Sequence, residues 1–269
     1  MFISTPLATI LATILAALAT TQASEYSATI SQRNVEIASA MYCDTSKDWS
    51  CSSCVDGVEN FNIIEGDSRV AMFNDTVQQA HVIAFRGSSN LENWISNFDF
   101  APVTPYEDKS IEVHRGLYGE YVAYKERILE YLANAGATRV VITGHSAGGA
   151  LSVFLGFDLK DHPEFGVTVY SYGSPRIGNH EFAQAMKEVD HHRVTHARDL
   201  VPHLLPEVFG VIHTGNEVWY PDDTMKFVVC DDADGEDKSC SDSCAPLLCT
   251  STLDHACYLG EMMGKLAHC

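Results

Sequence analysis

The chain has 269 residues, 46% of them hydrophobic, and a formal net charge of −19. That is enough apolar material for one sizeable core, and no linker or repeat divides the chain, so we predict a single domain from residue 24 to residue 269. The acidic charge disfavours nucleic acid and anionic membranes as partners, because both attract Lys and Arg.

Residues 1–23 differ from the rest of the chain. They carry no charged side chain, and an apolar run from Leu7 to Ala19 is followed by the small residues that precede a cleavage site. We predict a secretory signal peptide over 1–23, although its start lacks the usual Lys or Arg. A membrane anchor is the alternative, and the run is short for a bilayer. We therefore expect a secreted, extracellular protein without a stable membrane anchor.

Nine cysteines lie outside that segment, at positions 43, 51, 54, 230, 240, 244, 249, 257 and 269. Export favours disulfides, and the odd count leaves at least one thiol free or paired between chains. The Cys51–Cys54 pair could instead be a redox or zinc motif, but no His and no βαβ pattern accompany it. Asn74 begins the sequon Asn-Asp-Thr and is a glycosylation candidate.

The first half of the chain contains one helical and three strand patterns. Helical spacing runs from Val35 to Met41, and short strands are predicted over 61–64, 69–73 and 81–85. The third strand ends in Arg86-Gly87-Ser88. Leu91, Trp94, Ile95 and Phe98 then follow at i, i+3, i+4 and i+7, which predicts a short amphipathic helix. It could be an ordinary core-facing helix, but its position after a candidate oxyanion turn favours a lid.

The strongest local pattern lies at the centre of the chain. A β-branched run from Arg139 to Thr143 predicts a buried strand, and an apolar stretch after Gly149 predicts a buried helix. Between them, Gly144-His145-Ser146-Ala147-Gly148 has the G-x-S-x-G spacing of a nucleophile elbow, with glycines where a Cβ would clash. The alternative is a glycine-rich loop with a surface serine. We predict that Ser146 is a nucleophile and that His145 supports the turn.

Strands and helices alternate through most of the remaining chain. We predict helices over 118–132 and 179–189, strands over 167–172 and 193–197, and an edge hairpin formed by 215–220 and 225–229. This alternation predicts an α/β fold, with a mostly parallel central sheet flanked by helices.

A nucleophilic serine needs a histidine base, and the histidine needs an acid that holds its tautomer. In this architecture the order along the chain is Ser, then Asp or Glu, then His. Asp199 directly follows a strand, at the edge of the sheet where catalytic groups gather. Asp222 and Asp223, on a later turn, are alternatives.

Four histidines follow the acid: His203, His213, His255 and His268. His203 lies only four residues after Asp199, His213 begins a strand, and His268 abuts the last cysteine. His255 is favoured, partly on the resemblance described below. His191, His192 and His196 precede the acid and are interpreted as surface or core histidines.

A tetrahedral intermediate needs two amide donors. Ala147, which follows the nucleophile, should supply one, and Ser88, after the earlier strand, should supply the other. Ser88 could instead cap the next helix, and both roles are compatible. The acidic run at 231–235 departs from EF-hand spacing, so we predict no metal site and no cofactor.

Taken together, these motifs resemble the secreted class 3 lipases, the fungal triacylglycerol lipase family of the α/β-hydrolase superfamily. The matching pieces run in the family's order and are 85–89, 92–95, 143–150, 172–179, 198–204 and Asp254-His255. The resemblance implies an α/β-hydrolase fold, a triad of Ser146, Asp199 and His255, and a lid over about 89–98. It also implies a disulfide between Cys43 and Cys269, beside a plausible Cys51–Cys54 pair.

The sequence therefore predicts a secreted serine carboxylester hydrolase, acting as a monomer on acylglycerols at a lipid–water interface. A feruloyl esterase is the nearest rival, although Trp94 and Phe98 favour lipid. A catalytically silent lipid-binding protein on the same scaffold is a rival of another class. The sequence leaves open the disulfide pairing of Cys230, Cys240, Cys244, Cys249 and Cys257. It also leaves open the preferred length of the substrate's acyl chain and the choice among mono-, di- and triacylglycerols. Ala147 stands where many relatives carry leucine.

Overall fold

The computed structural model describes residues 24–96, 101–231, 235–245 and 247–269. The predicted signal peptide, Phe98 of the predicted lid and part of the acidic run at 231–235 lie outside the described residues. Among the described residues, no helix is long and apolar enough to span a membrane.

The helices and strands alternate much as the sequence predicts, although several are longer than predicted and a few are shorter. The helices are α1 (Ala28–Ala40), α2 (Leu91–Ser96), α3 (Arg115–Ala135), α4 (Ala147–Leu159), α5 (His180–Met186) and α6 (Thr252–His255). The strands are β1 (Val58–Ile64), β2 (Val70–Asp75), β3 (Ala80–Phe85), β4 (Pro102–Val103), β5 (Val113–His114), β6 (Arg139–His145), β7 (Gly166–Tyr172), β8 (Gly178–Asn179), β9 (Asp190–His196), β10 (Val211–Ile212), β11 (Asn216–Tyr220), β12 (Val228–Val229), β13 (Cys257–Tyr258) and β14 (Glu261–Met262).

Within the described chain, eight strands form one sheet in the order β1-β2-β3-β6-β7-β9-β11-β12. The pairings from β3 to β11 are parallel, and those at the two edges are antiparallel. The carboxyl ends of the parallel strands therefore meet at one edge of the sheet, where ligands bind in α/β folds. Ser146 follows β6 and Asp199 follows β9 at this edge.

Apolar side chains cover the sheet on both faces. One buried cluster joins the sheet to α3, α4 and α5 through residues such as Leu132, Phe154 and Phe182. The other joins the sheet to α1 and to the hairpin of β13 and β14, through residues such as Ile37 and Tyr258. Helix α4 is buried along almost its whole length, as expected for a helix that is apolar on all sides.

The first described residue is tied to the sheet. The Ser24 backbone N–H donates to Asp190 Oδ1 at 3.1 Å, and its hydroxyl donates to Asp190 Oδ2 at 2.7 Å. Tyr26 follows, and its hydroxyl lies 2.9 Å from that of Tyr220 in β11. The chain is therefore anchored at the residue with which the predicted mature protein begins.

Four disulfides occur among the described residues. Cys43 is bonded to Cys269 and Cys51 to Cys54, while Cys230 is bonded to Cys240 and Cys244 to Cys249. Cys257 is the free cysteine of the described residues. The first pair links the segment after α1 to Cys269, and the last two pairs join cysteines that are 10 and 5 residues apart.

Candidate active site

Ser146 occupies a strained turn between β6 and α4. Its backbone has φ 60° and ψ −128°, a combination that L residues rarely adopt and that persists only where the surroundings enforce it. A Cβ on Gly144 would lie 2.3 Å from the Gly148 carbonyl oxygen, and one on Gly148 would lie 2.4 Å from the Phe85 carbonyl oxygen. The glycines therefore let the turn close tightly against the end of β3.

Asp199 and His255 form a buried pair. His255 Nδ1 lies 2.9 Å from Asp199 Oδ2, and each side chain is at most 3% exposed. The other carboxylate oxygen, Oδ1, accepts the Val201 backbone N–H at 2.8 Å. Because an ionised carboxylate only accepts hydrogen bonds, the pair places a proton on Nδ1 and leaves Nε2 of a neutral His255 as a base.

Two reactive atoms remain without hydrogen bonds in the same cavity. Ser146 Oγ and His255 Nε2 are both buried, and neither has a hydrogen-bond partner among the described residues. Both residues line a cavity of about 340 Å³. A buried polar atom without a partner is unfavourable, so such atoms in one cavity mark a site built to engage another molecule.

His145 fixes the backbone of His255. His145 Nε2 lies 2.8 Å from the His255 carbonyl oxygen, and Tyr42 Oη lies 2.8 Å from His145 Nδ1. Burial, and secondarily the proximity of His255, lowers the pKa of His145 well below its usual value. The ring is therefore neutral, with Nε2 donating to the carbonyl and Nδ1 accepting from the tyrosine.

The loop that carries Asp199 is also bonded to the helix that carries His255. Asp199 forms an isolated parallel bridge with Ser251, the residue that caps α6 through a 2.9 Å hydrogen bond from the Asp254 backbone N–H. The Asp254 carboxylate in turn accepts the Arg198 backbone N–H at 3.0 Å. These bonds set the position of α6, only four residues long, relative to the sheet.

Two further residues contact the Asp199–His255 pair and were missed by sequence reasoning. The Tyr258 hydroxyl donates to Asp199 Oδ2 at 2.5 Å, and burial raises the pKa of Tyr258 well above 10, so it stays a donor. Gly173, at φ +57°, lies so close that a Cβ would be 2.7 Å from the Tyr258 hydroxyl and 2.9 Å from Asp199 Oδ2. Gly173 lies in a motif noted in the sequence, whereas Tyr258 had only its proximity to His255 as a signal.

Of the two oxyanion candidates, one lines the site cavity and the other directly follows Ser146 in the chain. Ser88 lines the site cavity, and its hydroxyl donates to the Asn90 carbonyl at 3.1 Å. Asn90, rather than Ser88, caps α2, because its side chain accepts the Asn93 backbone N–H at 3.2 Å. Ala147 is the first residue of α4, where backbone N–H groups lack acceptors within the helix.

Helix α2 lies beside the cavity and carries three of the four predicted lid residues. None of its side chains is fully buried. Leu91 lines the cavity, whereas Trp94 is half-buried and packs against the core cluster of α3 and α4. Ile95 is half-buried. Within the predicted apolar face, Leu91 therefore contacts the cavity and Trp94 contacts the core.

The structure does not bring the alternative acids and bases to the cavity that Ser146 lines. The exposed Asp222 accepts the Thr224 backbone N–H at 2.9 Å, and the exposed Asp223 lies 3.3 Å from His196. His213 is buried against the Pro202 carbonyl at 2.9 Å. Among the histidines, the lining of the cavity includes His145 and His255.

Three groups of potential metal ligands occur among the described residues, and none resembles an open metal site. Two of them contain cysteines already joined in disulfides, Cys244–Cys249 and Cys230–Cys240. The third consists of Glu207, Glu236 and Asp242. These carboxylates form ion pairs with Arg176 and Lys238. Their negative charge is therefore already balanced without a metal ion.

The α/β-hydrolases have this arrangement. They place a serine on a sharp strand-to-helix turn and an Asp–His pair at the same edge of a mostly parallel sheet. Comparison with known proteins agrees. Residues 82–209 match the sequence model of the class 3 lipase family. The chain is 31% identical over 242 residues to a lipase of Rhizomucor miehei, and the aligned region covers 83% of this chain and 66% of that relative. The chain therefore belongs to the class 3 lipase family.

Other relatives and solved structures support the assignment. A lipase of Rhizopus niveus is 30% identical over 243 residues, covering 82% of this chain and 61% of the relative, so the chain spans 61–66% of the length of these two curated relatives. A secreted mono- and diacylglycerol lipase of Fusarium solani is 37% identical over 151 residues, covering 54% of this chain and 45% of the relative.

Among solved structures, lipase II from Rhizopus niveus superposes with a TM-score of 0.78 at 28% identity, over 88% of this chain and 96% of that one. A triacylglycerol lipase described as having a serine protease triad superposes with a TM-score of 0.81 at 29% identity, over 89% and 96%. The predicted family and the predicted α/β-hydrolase fold are thereby confirmed.

Proposed function

We propose that this protein is a serine carboxylester hydrolase that cleaves acylglycerol esters through an acyl-enzyme. The observation that carries the proposal is the geometry at one cavity. A buried Asp199–His255 pair leaves His255 Nε2 unbonded, and the same cavity holds the unbonded Ser146 hydroxyl. The class 3 lipase relatives support an acylglycerol as the substrate.

In the proposed first step, His255 Nε2 accepts the Ser146 proton while Oγ attacks the ester carbonyl. The proton places a positive charge on an imidazole that Asp199 already orients, so the ion pair forms without reorganisation of the site. The collapsing intermediate then receives the same proton on its leaving alcohol. The acyl group remains on Ser146 until water, activated in the same way, releases the fatty acid.

The carbonyl oxygen becomes negatively charged in both tetrahedral intermediates. We assign its stabilisation to the Ser88 and Ala147 backbone N–H groups. Ala147 lies at the amino end of α4, where the partial positive charge of the helix dipole also favours an anion. Hydrogen bonds to such an oxyanion contribute several kcal/mol of transition-state stabilisation.

We propose that α2 is a lid. Leu91 lines the cavity, while Ser146 and His255 are only 1% and 3% exposed, so an acylglycerol needs α2 to move before it reaches them. The half-buried Trp94 and Ile95 would be exposed by that movement and would then contact lipid. Phe98 belongs to the same proposed apolar face.

We further propose that residues 1–23 are removed on export and that 24–269 act as one secreted, monomeric domain. Cleavage after Ala23 would turn the Ser24 amide, already 3.1 Å from Asp190 Oδ1, into an ammonium group facing that carboxylate. Four disulfides suit an oxidising compartment. Amino-terminal sequencing of secreted protein tests the cleavage site, and a glycosidase-sensitive mass tests the candidate sugar on Asn74.

A substrate panel on purified protein tests the activity. We expect hydrolysis of triacylglycerol or monoacylglycerol emulsions to exceed that of methyl ferulate, and an organophosphonate to label Ser146. Preference for methyl ferulate would instead identify a feruloyl esterase. Absence of both hydrolysis and labelling would instead indicate a catalytically silent lipid-binding protein on the same scaffold.

A further inference from the structure

The stretch that leads into His255 lacks charge although the protein is strongly acidic. Residues 243–253 contain no charged side chain, in a chain with a net charge of −19. The flanking acids are both engaged. Asp242 is buried in contact with Arg176 and Lys238, and the Asp254 carboxylate accepts the Arg198 backbone N–H. Residues 243–253 therefore have no charged side chain of their own to attract an ionic partner, and the exposed charge nearest to Leu266 in the sequence is Lys265.

The same stretch exposes large apolar side chains. Leu247 is 80% exposed, Leu248 58% and Leu253 64%, and Leu266 nearby in the fold is 49% exposed. We call these four residues the leucine surface. Exposing several leucines together is unfavourable in water, and such surfaces mark sites of contact with proteins or lipids.

The leucine surface adjoins the site cavity through Leu253 and Leu266. Leu266 itself lines the cavity, and Leu253 lies in α6 between Thr252, which lines the cavity, and His255. Leu247 and Leu248 lie in the segment closed by the Cys244–Cys249 disulfide, just before Ser251, which pairs with Asp199. A lipid surface that approaches the cavity from the side of α6 would therefore meet Leu253 and Leu266.

We propose that the leucine surface is a fixed anchor for an uncharged acylglycerol surface and that it acts before the lid opens. The proposal rests on the proposed function. The leucines are exposed in a structure where Ser146 is only 1% exposed, so they are available in the closed state. The uncharged stretch 243–253 suits a neutral lipid surface, whereas the net charge of −19 would repel an anionic membrane.

The test measures adsorption separately from catalysis. Ser146→Ala protein, which cannot consume the lipid, is mixed with trioctanoylglycerol droplets, and the bound fraction is measured after flotation. Adding Leu247→Ser, Leu248→Ser and Leu253→Ser together should weaken adsorption at least tenfold. Trp94→Ser in α2 should weaken it less than threefold, because the lid is closed when the protein first binds.

Val77→Ser is the matched control. Val77 is 59% exposed, but it lies in the turn before β3, at the opposite edge of the sheet from Ser146, and its removal should leave adsorption unchanged. Anionic phosphatidylglycerol in the droplet surface should not strengthen binding. The anchor is refuted if the triple variant adsorbs like its parent, if the parent does not adsorb, or if adsorption requires anionic lipid.

The proposed function fails by a different result. A Ser146-containing protein that hydrolyses neither emulsified acylglycerol nor a soluble p-nitrophenyl ester is not an ester hydrolase, whatever its adsorption. If only the anchor is wrong, the triple variant retains the parental ratio of emulsion hydrolysis to soluble-ester hydrolysis. If the anchor is right, that ratio falls at least fivefold.

Discussion

The two sides of the proposed catalytic centre are held by different means. Ser146 lies between a central strand and a fully buried helix, and its turn is set by backbone packing at Gly144 and Gly148. His255 lies at the end of a four-residue helix and is followed by a two-residue strand. Hydrogen bonds from distant parts of the chain hold it in place, including those from His145 and Asp199.

This difference predicts different consequences of mutation. On the serine side, regular secondary structure holds the position of the nucleophile, so removing its side chain should change chemistry and leave the fold intact. On the histidine side, position depends on individual side-chain bonds, so losing one partner should change geometry and chemistry together. The predictions below follow from this contrast.

Ser146→Ala should have the largest effect. Without the hydroxyl no acyl-enzyme can form, and we expect kcat to fall by at least about 10⁴-fold. Because the removed oxygen has no hydrogen-bond partner, the melting temperature should stay within about 2 °C of the wild type. Ester hydrolysis and thermal unfolding, measured on the same preparation, check both parts. A large loss of stability would show that the serine side also depends on its side chain.

Gly173→Ala should have the next largest effect, because it introduces a Cβ against the Asp199–His255 pair. That Cβ would lie 2.7 Å from the Tyr258 hydroxyl and 2.9 Å from Asp199 Oδ2, in a left-handed backbone conformation. We expect kcat to fall by about 100-fold and the free energy of unfolding to fall by about 3 kcal/mol. Hydrolysis of a soluble ester and urea unfolding measure the two quantities.

Gly210→Ala is its matched control. Gly210 also has a left-handed backbone, at φ +78°, but nothing lies within 4 Å of an added Cβ. It should therefore show only the backbone strain of about 1–2 kcal/mol and nearly normal kcat. Equal losses of kcat in the two variants would contradict a specific clash at the Asp199–His255 pair.

The same contrast explains what could be predicted from the sequence. The serine side is local, since a β-branched strand, two glycines and an apolar helix within about 20 residues identify the elbow and the sheet edge that bears it. The class of fold followed from the same periodicity. Asp199 could be proposed because it ends a strand, and His255 only with the help of the family resemblance.

The remaining contacts join residues far apart in sequence and have no local signature. Tyr258 and Asp199 are 59 residues apart, and no spacing rule predicts that a tyrosine hydroxyl will contact that carboxylate. The sequence likewise left open the pairing of Cys230 with Cys240 and of Cys244 with Cys249. Composition limits such pairings, but only three-dimensional packing selects among them.

Acid should destabilise the sheet through buried neutral histidines. Burial, with the nearby Arg193 as a smaller cause, lowers the pKa of His191 to about 3, against about 6.5 when unfolded. The unfolded chain therefore binds more protons below pH 6.5, so this contribution to stability is present above that pH and is lost progressively as pH falls towards 3. At pH 5 the loss from one such group is about 2 kcal/mol.

Urea unfolding between pH 7.5 and pH 4.5 measures this slope. His191→Gln should give a lower stability at pH 7.5 but a shallower decline, because one proton-binding group has been removed from the unfolded chain. Identical slopes in wild type and His191→Gln would exclude His191 as a source of acid sensitivity.

Tyr258→Phe should have the smallest effect, and it tests the histidine side most directly. The substitution removes only the hydroxyl that donates to Asp199 Oδ2, while the ring keeps its buried packing. With one donor lost, the carboxylate is held less firmly under His255, and we expect kcat to fall about tenfold, or about 1.4 kcal/mol in activation free energy, with little change in KM. Tyr26→Phe removes another tyrosine hydroxyl, which lies 2.9 Å from that of Tyr220 in β11, and it should leave kcat unchanged. If the two variants lower kcat equally, the effect of Tyr258 is one of general stability, and the histidine side is as well supported by its backbone as the serine side.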